Sequence, residues 1–283
     1  MAKGNSVSGE DARQETAPVL SAQGLTLGYG GDPVVRDLDL GIEEGEFAVI
    51  VGPNGCGKST LLKALGRVNR PESGRVLLHG RDMRSQRPKA VARRLALLPQ
   101  SPLAPEGITV RALAARGRFP HHTLLRQWTP RDETAIARAL ELTGLSELAG
   151  ARVGALSGGQ RQRAWVAMVL AQDSETLLLD EPTTYLDIAH QYDLLELFAD
   201  LHRRGRTVVA VLHDLAQAAR FATRLVMMDG GEVVADGAPA DVVTAERVEA
   251  VFGLACDVVP DPRTGTPLVI PHERALRGER AGR

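Results

Sequence analysis

The sequence predicts an α/β fold built on a parallel sheet. Strand-length and helical segments alternate along most of the chain. Three strand segments, 46–51, 176–180 and 207–212, are continuous apolar runs. Such runs suit strands buried on both faces of a parallel sheet. The first of them leads into a glycine-rich loop and then a helical stretch, a strand–loop–helix unit.

Taken in order, residues 1–17 are polar and small and read as a disordered tail. An apolar alternation starts near Val19, and strand-like segments follow at 46–51 and 75–79. The segment from about 101 to 155 breaks the rhythm: it reads as short helices without a strand pattern. With the helical run 161–171 it is taken as an inserted helical subdomain, about 101–172. Strand Thr176–Asp180 precedes a helix from 188 to about 204, with Ile188, Tyr192, Leu195, Phe198 and Leu201 on one stripe and Gly205 as its stop. Strands at 207–212 and 224–228 follow. Beyond 231 short strands mix with a helix at Ala245–Phe252. One domain is therefore expected over 18–271, with a flexible tail at 272–283.

Hydrophobic residues make up 43% and charged residues 24%, enough for a sizeable core. A formal net charge of −1 argues against a dedicated nucleic-acid binder. Cys56 and Cys256, the two cysteines, lie far apart without a CxxC partner, so neither a disulfide framework nor a zinc site is expected. No apolar run approaches the roughly 18 residues of a membrane span, and the N-terminus has no secretory h-region. Any membrane role is expected to come through a partner.

The loop Gly52-Pro53-Asn54-Gly55-Cys56-Gly57-Lys58-Ser59 fits GxxxxGK[ST] between strand 46–51 and helix 60–65. Glycines let consecutive N–H groups point into one cavity, and the helix N-terminus adds a favourable dipole. Lys58 supplies a full charge for the β- and γ-phosphates, and Ser59 a hydroxyl for Mg²⁺. Cys56 reads as a small tolerated residue, though the helix N-terminus could lower its thiol pKa. Downstream, the apolar strand ends in Asp180 and Glu181. These carboxylates leave the sheet at its C-terminal edge, where doubly wound sheets bind ligands. Asp180 can hold Mg²⁺, and Glu181 can orient or deprotonate a water.

Leu156-Ser157-Gly158-Gly159-Gln160 stands ahead of the helical run 161–171. It can form a second anion cradle, and Ser157 can also cap the helix. This segment resembles the signature of ABC-type ATPases. Further landmarks of that family appear in order. Tyr29, in Gly28-Tyr29-Gly30, resembles the aromatic that stacks on adenine, and Gln100 resembles the glutamine that touches Mg²⁺ and senses the permease. Thr184-Tyr185-Leu186-Asp187 resembles the loop that crosses to the partner subunit, and His213 the histidine that contacts the γ-phosphate. The resemblance covers about 19–271. It implies a P-loop core with an antiparallel β subdomain and an inserted α-helical subdomain. It implies ATP as ligand, with Thr60 continuing the loop, and Mg²⁺ on Ser59, Gln100 and Asp180. Lys58, Glu181 and His213 would be catalytic. It further implies a homodimer that sandwiches ATP between the 52–60 loop of one copy and 157–160 of the other. Two integral-membrane permease subunits would sit above it, with a substrate-binding protein acting indirectly. The dimer would be peripheral, at the cytoplasmic face of the membrane.

Within that family, Val110-Arg-Ala-Leu-Ala-Ala-Arg-Gly-Arg118-Phe-Pro-His121, Trp128, Asp132 and the stretches 183–191 and 211–222 resemble importers for ferric siderophores, haem and cobalamin. Ferric siderophore is the first expectation, haem or cobalamin the second. Residues 107–131 hold five arginines and no acid; they form either a face toward permease or anionic headgroups, or a solvated helix surface. The basic run 81–94 is open in the same way, with a nucleic-acid patch disfavoured. His121-His122 lacks a third metal ligand and reads as polar surface. Three other readings are a non-transport ABC-type ATPase, a nucleotide sensor and an exporter subunit. They lack, respectively, a coiled coil or second nucleotide domain, a lost catalytic residue, and fused membrane spans.

Overall fold

The computed structural model describes residues 17–123 and 128–273. The chain opens with β1 (Leu20–Leu27) and β2 (Val35–Ile42), then enters the interior as β3 (Phe47–Val51). The glycine-rich loop follows, and α1 (Lys58–Leu65) starts on its lysine. Strands β4 (Ser73–Leu78) and β5 (Arg81–Asp82) return beside β1. Then α2 (Pro88–Arg94) leads into β6 (Leu95–Leu98). Three helices come next, α3 (Val110–Arg116), α4 (Pro130–Leu142) and α5 (Gly158–Ala171), packed on one another between β6 and β7 (Thr176–Asp180). The rest alternates: α6 (Ile188–Arg203), β8 (Thr207–Val211), α7 (Leu215–Phe221), β9 (Arg224–Asp229) and β10 (Glu232–Gly237). The chain closes with α8 (Pro239–Val242), α9 (Ala245–Phe252) and the hairpin of β11 (Cys256–Pro260) and β12 (Pro267–Pro271).

Two main sheets result. One is antiparallel, in the order β2-β1-β4-β5. The other runs β10-β9-β3-β8-β7-β6 and is parallel except for β10. Successive strand residues face opposite sides, and here both sides are covered. Phe47, Val49 and Val51 face a core shared with the inserted helices, α6 and α7. Ala48 and Ile50 face a second core shared with α1 and the antiparallel sheet. Leu177 and Leu179 divide from Leu178 in the same way, as do Val208 and Ala210 from Val209 and Val211. That is why these strands read as unbroken apolar runs. The fold is the expected α/β core with an antiparallel sheet and a helical insert.

Several expectations need correcting. Ile188 is exposed, although it was placed on the buried stripe of its helix. It is the first residue after the cap Asp187, and α6 reaches the core only with Leu194, Leu195 and Phe198. Arg118 belongs to no outward-facing basic surface. It is buried, and its guanidinium donates to Asp132 at 2.8 Å and to the Ala171 carbonyl at 2.8 Å. Its neutralising acid lies one residue beyond the acid-free window. Burial alone would raise the Asp132 carboxyl; hydrogen bonds from Arg118 and Thr129 outweigh it and hold the pKa at about 2. The run 81–94 is partly structural: Arg84, Lys89 and Arg93 donate to the carbonyls of Pro71, His122 and Pro120. His121, read as polar surface, is half-buried, with Nε2 2.8 Å from the Gln172 carbonyl oxygen. Of the expected tails, 1–16 and 274–283 lie outside the described residues, as does Arg126.

Candidate functional site

In a parallel sheet every strand delivers its C-terminal end to the same edge. The order β3-β8-β7-β6 therefore sets four strand ends in a row: the 52–59 loop, His213, Asp180 with Glu181, and Gln100. Sequence positions up to 161 residues apart, Gly52 to His213, meet there.

The loop's turn depends on glycine at two places. Gly52 has φ 149°, and a Cβ there would lie 2.1 Å from the Met228 carbonyl oxygen. Gly57 caps α1 at φ 102°, where a Cβ would press on Val35 at 2.9 Å. Lys58 is buried. Its ammonium donates to the Gly52 and Pro53 carbonyls at 2.9 and 2.8 Å. Those two bonds hold a full positive charge inside the curl of the loop, where a phosphate would be met by charge and N–H groups together. Cys56 sits beneath, with Sγ 3.9 Å from the lysine nitrogen. Burial pushes its thiol pKa up, and Lys58 offsets this only in part, so the expected depression by the helix N-terminus does not prevail.

Ser59 Oγ donates to Asp180 Oδ1 at 2.7 Å, joining α1 to β7. Asp180 is fully buried. Burial raises its pKa against the lowering influence of Ser59 and Lys63. Its Oδ2 lies 3.9 Å from Lys63 Nζ and has no hydrogen-bond partner. A buried carboxylate oxygen without a partner, next to a serine hydroxyl, is a hard-oxygen donor set of the kind Mg²⁺ takes. No cluster of three His, Cys, Asp or Glu forms among the described residues, so a cation here would need further oxygens, such as phosphate and water. Lys63 escaped the sequence reading. Its signal was the spacing Ser59–Lys63, i and i+4, which puts both on one face of α1.

Glu181 has positive φ, 51°, which costs a non-glycine residue strain. The turn brings its side chain to His213 and Thr184. Its Oε1 lies 2.7 Å from His213 Nε2, and Thr184 Oγ1 reaches Oε2 at 3.4 Å. Glu181 N–H donates to the Val211 carbonyl, tying the turn to β8. A carboxylate with one oxygen on an imidazole can accept a proton from water while the ring fixes its direction.

Tyr29 stands at the rim, its ring exposed. Its hydroxyl is within 3.2 Å of Thr60 Oγ1 and accepts from Asn69 Nδ2 at 3.1 Å. An aromatic face held at its hydroxyl edge can receive a base. Asn69 too was missed, because only the fold brings it to Tyr29. Gln100 is half-buried past the end of β6. Asp187 caps α6, accepting from His190 N–H at 2.9 Å.

The 157–160 segment stands apart. Ser157 and Gln160 form a reciprocal capping box at the start of α5. Its near neighbours are Tyr185 and Leu186. Among the described residues no hydrogen bond joins it to the 52–60 loop, so the two segments stand apart within one chain.

Comparison with known proteins gives the same picture. The family model for ABC transporters matches residues 35–184. The ferric enterobactin transport ATP-binding protein FepC of Escherichia coli K12 is 51% identical over 258 residues, 91% of this chain and 95% of that protein. The hemin import ATP-binding protein HmuV of Rhodococcus jostii RHA1 is 41% identical, over 92% and 88%. Among solved structures, an inward-facing transporter described as metal-chelate type superposes with a TM-score of 0.77 at 27% identity, over 92% of this chain and all of its own. An ABC transporter cassette solved as a dimer gives 0.70 at 26%, over 77% and 98%. Over the phosphate loop, the LSGGQ segment and the acidic strand end alike, this chain belongs to the ABC transporter family and is one of its nucleotide-binding ATPases.

Proposed function

We propose that the chain is the ATP-hydrolysing subunit of an importer for ferric siderophores, working as a homodimer on two membrane permease subunits that a substrate-binding protein serves from the other side. The observation that carries the catalytic reading is the Glu181–His213 contact at 2.7 Å, on the strand edge that also bears the Lys58 loop. Lys58 and the loop N–H groups bind the β- and γ-phosphates, and Tyr29 receives the adenine. Mg²⁺, held by Ser59, Asp180 and Gln100, would neutralise charge on the phosphates. Glu181 accepts a proton from the attacking water, and His213 orients Glu181 and meets the γ-phosphate. The water oxygen bonds to the γ-phosphorus, and ADP leaves with the electron pair of the bridging oxygen.

The dimer reading is supported by the gap between the two cradles. A second copy placed head to tail would bring its 157–160 segment over the first copy's loop and exclude water from the γ-phosphate. Exposed Tyr185 and Ile188 flank Asp187 next to that segment, apolar surface that a second copy would cover. The dimeric cassette fits the same reading. The permease reading is supported by exposed Phe119 beside Arg116, a small apolar and cationic hollow on the insert. No helix of the described residues is long and apolar enough to span a membrane; on this reading the subunit sits peripherally, at the cytoplasmic face of the permease.

The substrate reading is supported by the higher identity to the protein named for ferric enterobactin transport than to the one named for hemin import. It is tested by uptake of a labelled ferric siderophore in cells whose own copy carries Glu181→Gln. Loss of iron uptake with haem and cobalamin uptake intact is expected. Normal siderophore uptake would refute the substrate assignment and leave the ATPase.

A further inference from the structure

Two glutamines in the stretches 183–191 and 211–222, neither given a role by the sequence reading, join the segment before α6 to the helix after His213. Gln217, on α7, is 5% exposed, and its side-chain amide donates to Gln191 Oε1 at 2.7 Å. Gln191, on α6, donates in turn to the Leu186 carbonyl at 3.1 Å. Leu186 is buried and immediately precedes Asp187. At the other end, Asp214 follows His213, caps α7 and accepts from the Gln217 N–H at 2.8 Å. The line therefore runs from the 184–187 segment through two side-chain amides to the turn that carries His213.

The two side-chain amides donate in one direction, toward Leu186, while the Gln217 N–H donates the other way to Asp214. The Leu186 oxygen can only accept, so Gln191 must offer its NH₂ there and its oxygen to Gln217. Flipping either amide would set two oxygens or two donors face to face. Both glutamines also line the small cavity, about 230 Å³, that Glu181, Thr184 and His213 share. A shift of the Leu186 carbonyl therefore pulls on groups that border the Glu181–His213 contact.

We infer that Gln191 and Gln217 are positioning residues for hydrolysis, passing the placement of the 184–187 segment to His213. Each makes a directed bond that the next one needs. The inference rests on the ATPase reading above. If the second copy of the chain sets segment 184–187, this line is how one nucleotide site registers the partner's presence.

The test uses the full chain with steady-state ATPase assays, melting curves and histidine ¹³C NMR. Gln191→Ala and Gln217→Ala should each lower kcat by about ten- to a hundredfold, the cost of a misplaced reacting group, with the KM for ATP held within about twofold. The double variant should be no worse than the poorer single variant, since the two act as one unit. Gln217→Glu, nearly the same shape, should fail as the alanine does because it cannot donate to Gln191. Gln191→Glu should fail because it cannot donate to Leu186. A mere staple between α6 and α7 would lower the melting midpoint and leave kcat of the folded protein alone; that result, or additive losses, overturns the relay. The His213 ring resonance, assigned with His213→Ala, should move in every variant. An unmoved resonance overturns the relay even in a preparation that hydrolyses no ATP, whereas a parent without ATPase activity refutes only the reading on which the relay rests.

Discussion

A single ammonium, that of Lys58, stands at the centre of the proposed nucleotide site. Lys58 is fixed by two carbonyls of its own loop, so its charge is in place before any phosphate arrives. Lys58→Ala removes that charge and also frees the loop carbonyls. Charged hydrogen bonds are worth about 1.5–3 kcal/mol each, so ATP binding should weaken roughly ten- to a hundredfold, read by calorimetric titration with a non-hydrolysable analogue. Affinity equal to the parent's would show that the backbone cradle alone holds the phosphates. The loop, Asp180, Glu181 and LSGGQ were legible in the sequence because each is a run of neighbours whose chemistry is local. The contacts of Lys63, Asn69, Gln191 and Gln217 were not, although 183–191 and 211–222 were singled out, because their partners lie 117, 40, 26 and 26 residues away, at Asp180, Tyr29, Gln217 and Gln191.

At the scale of elements, the strands buried on both faces announced themselves as apolar runs, while β2 and β6 did not. β2 alternates as VRDLDLGI, with a solvated face, and β6 is four residues after a basic helix. The stripe on α6 was right from Leu195 onward and wrong at Ile188, because periodicity tells which face is buried but not how far along the helix the core extends. The insert was legible as helices, yet its keystone was misread from charge alone. Arg118 bonds Asp132 and the Ala171 carbonyl, so it locks α4 against the end of α5. Arg118→Ala leaves Asp132 buried without its cation and should cost about 3–5 kcal/mol in urea unfolding. The pair also predicts an acid limb. The Asp132 carboxyl is held below its ordinary value of 3.8, at about 2 in the fold. Its stabilisation is thus present above the ordinary value and is lost as pH falls toward 2. Asp132→Asn should flatten the dependence of the urea midpoint over that window; an unchanged slope would mean other carboxylates govern it.

The whole molecule holds two half-sites. One edge of the parallel sheet gathers phosphate loop, acids and histidine, and the insert carries the 157–160 segment apart from it. On the proposed head-to-tail reading, hydrolysis is a property of the dimer. Glu181→Gln keeps the hydrogen-bonding shape and removes the proton acceptor, so it separates binding from chemistry. The measurement is turnover together with light scattering on a sizing column, for parent and Glu181→Gln, with Mg-ATP present. The account predicts that the variant loses about 10²–10⁴ in kcat, the usual worth of a general base, and elutes as an ATP-bound dimer. Parent-like hydrolysis by the variant, or a monomer saturated with ATP, would contradict it.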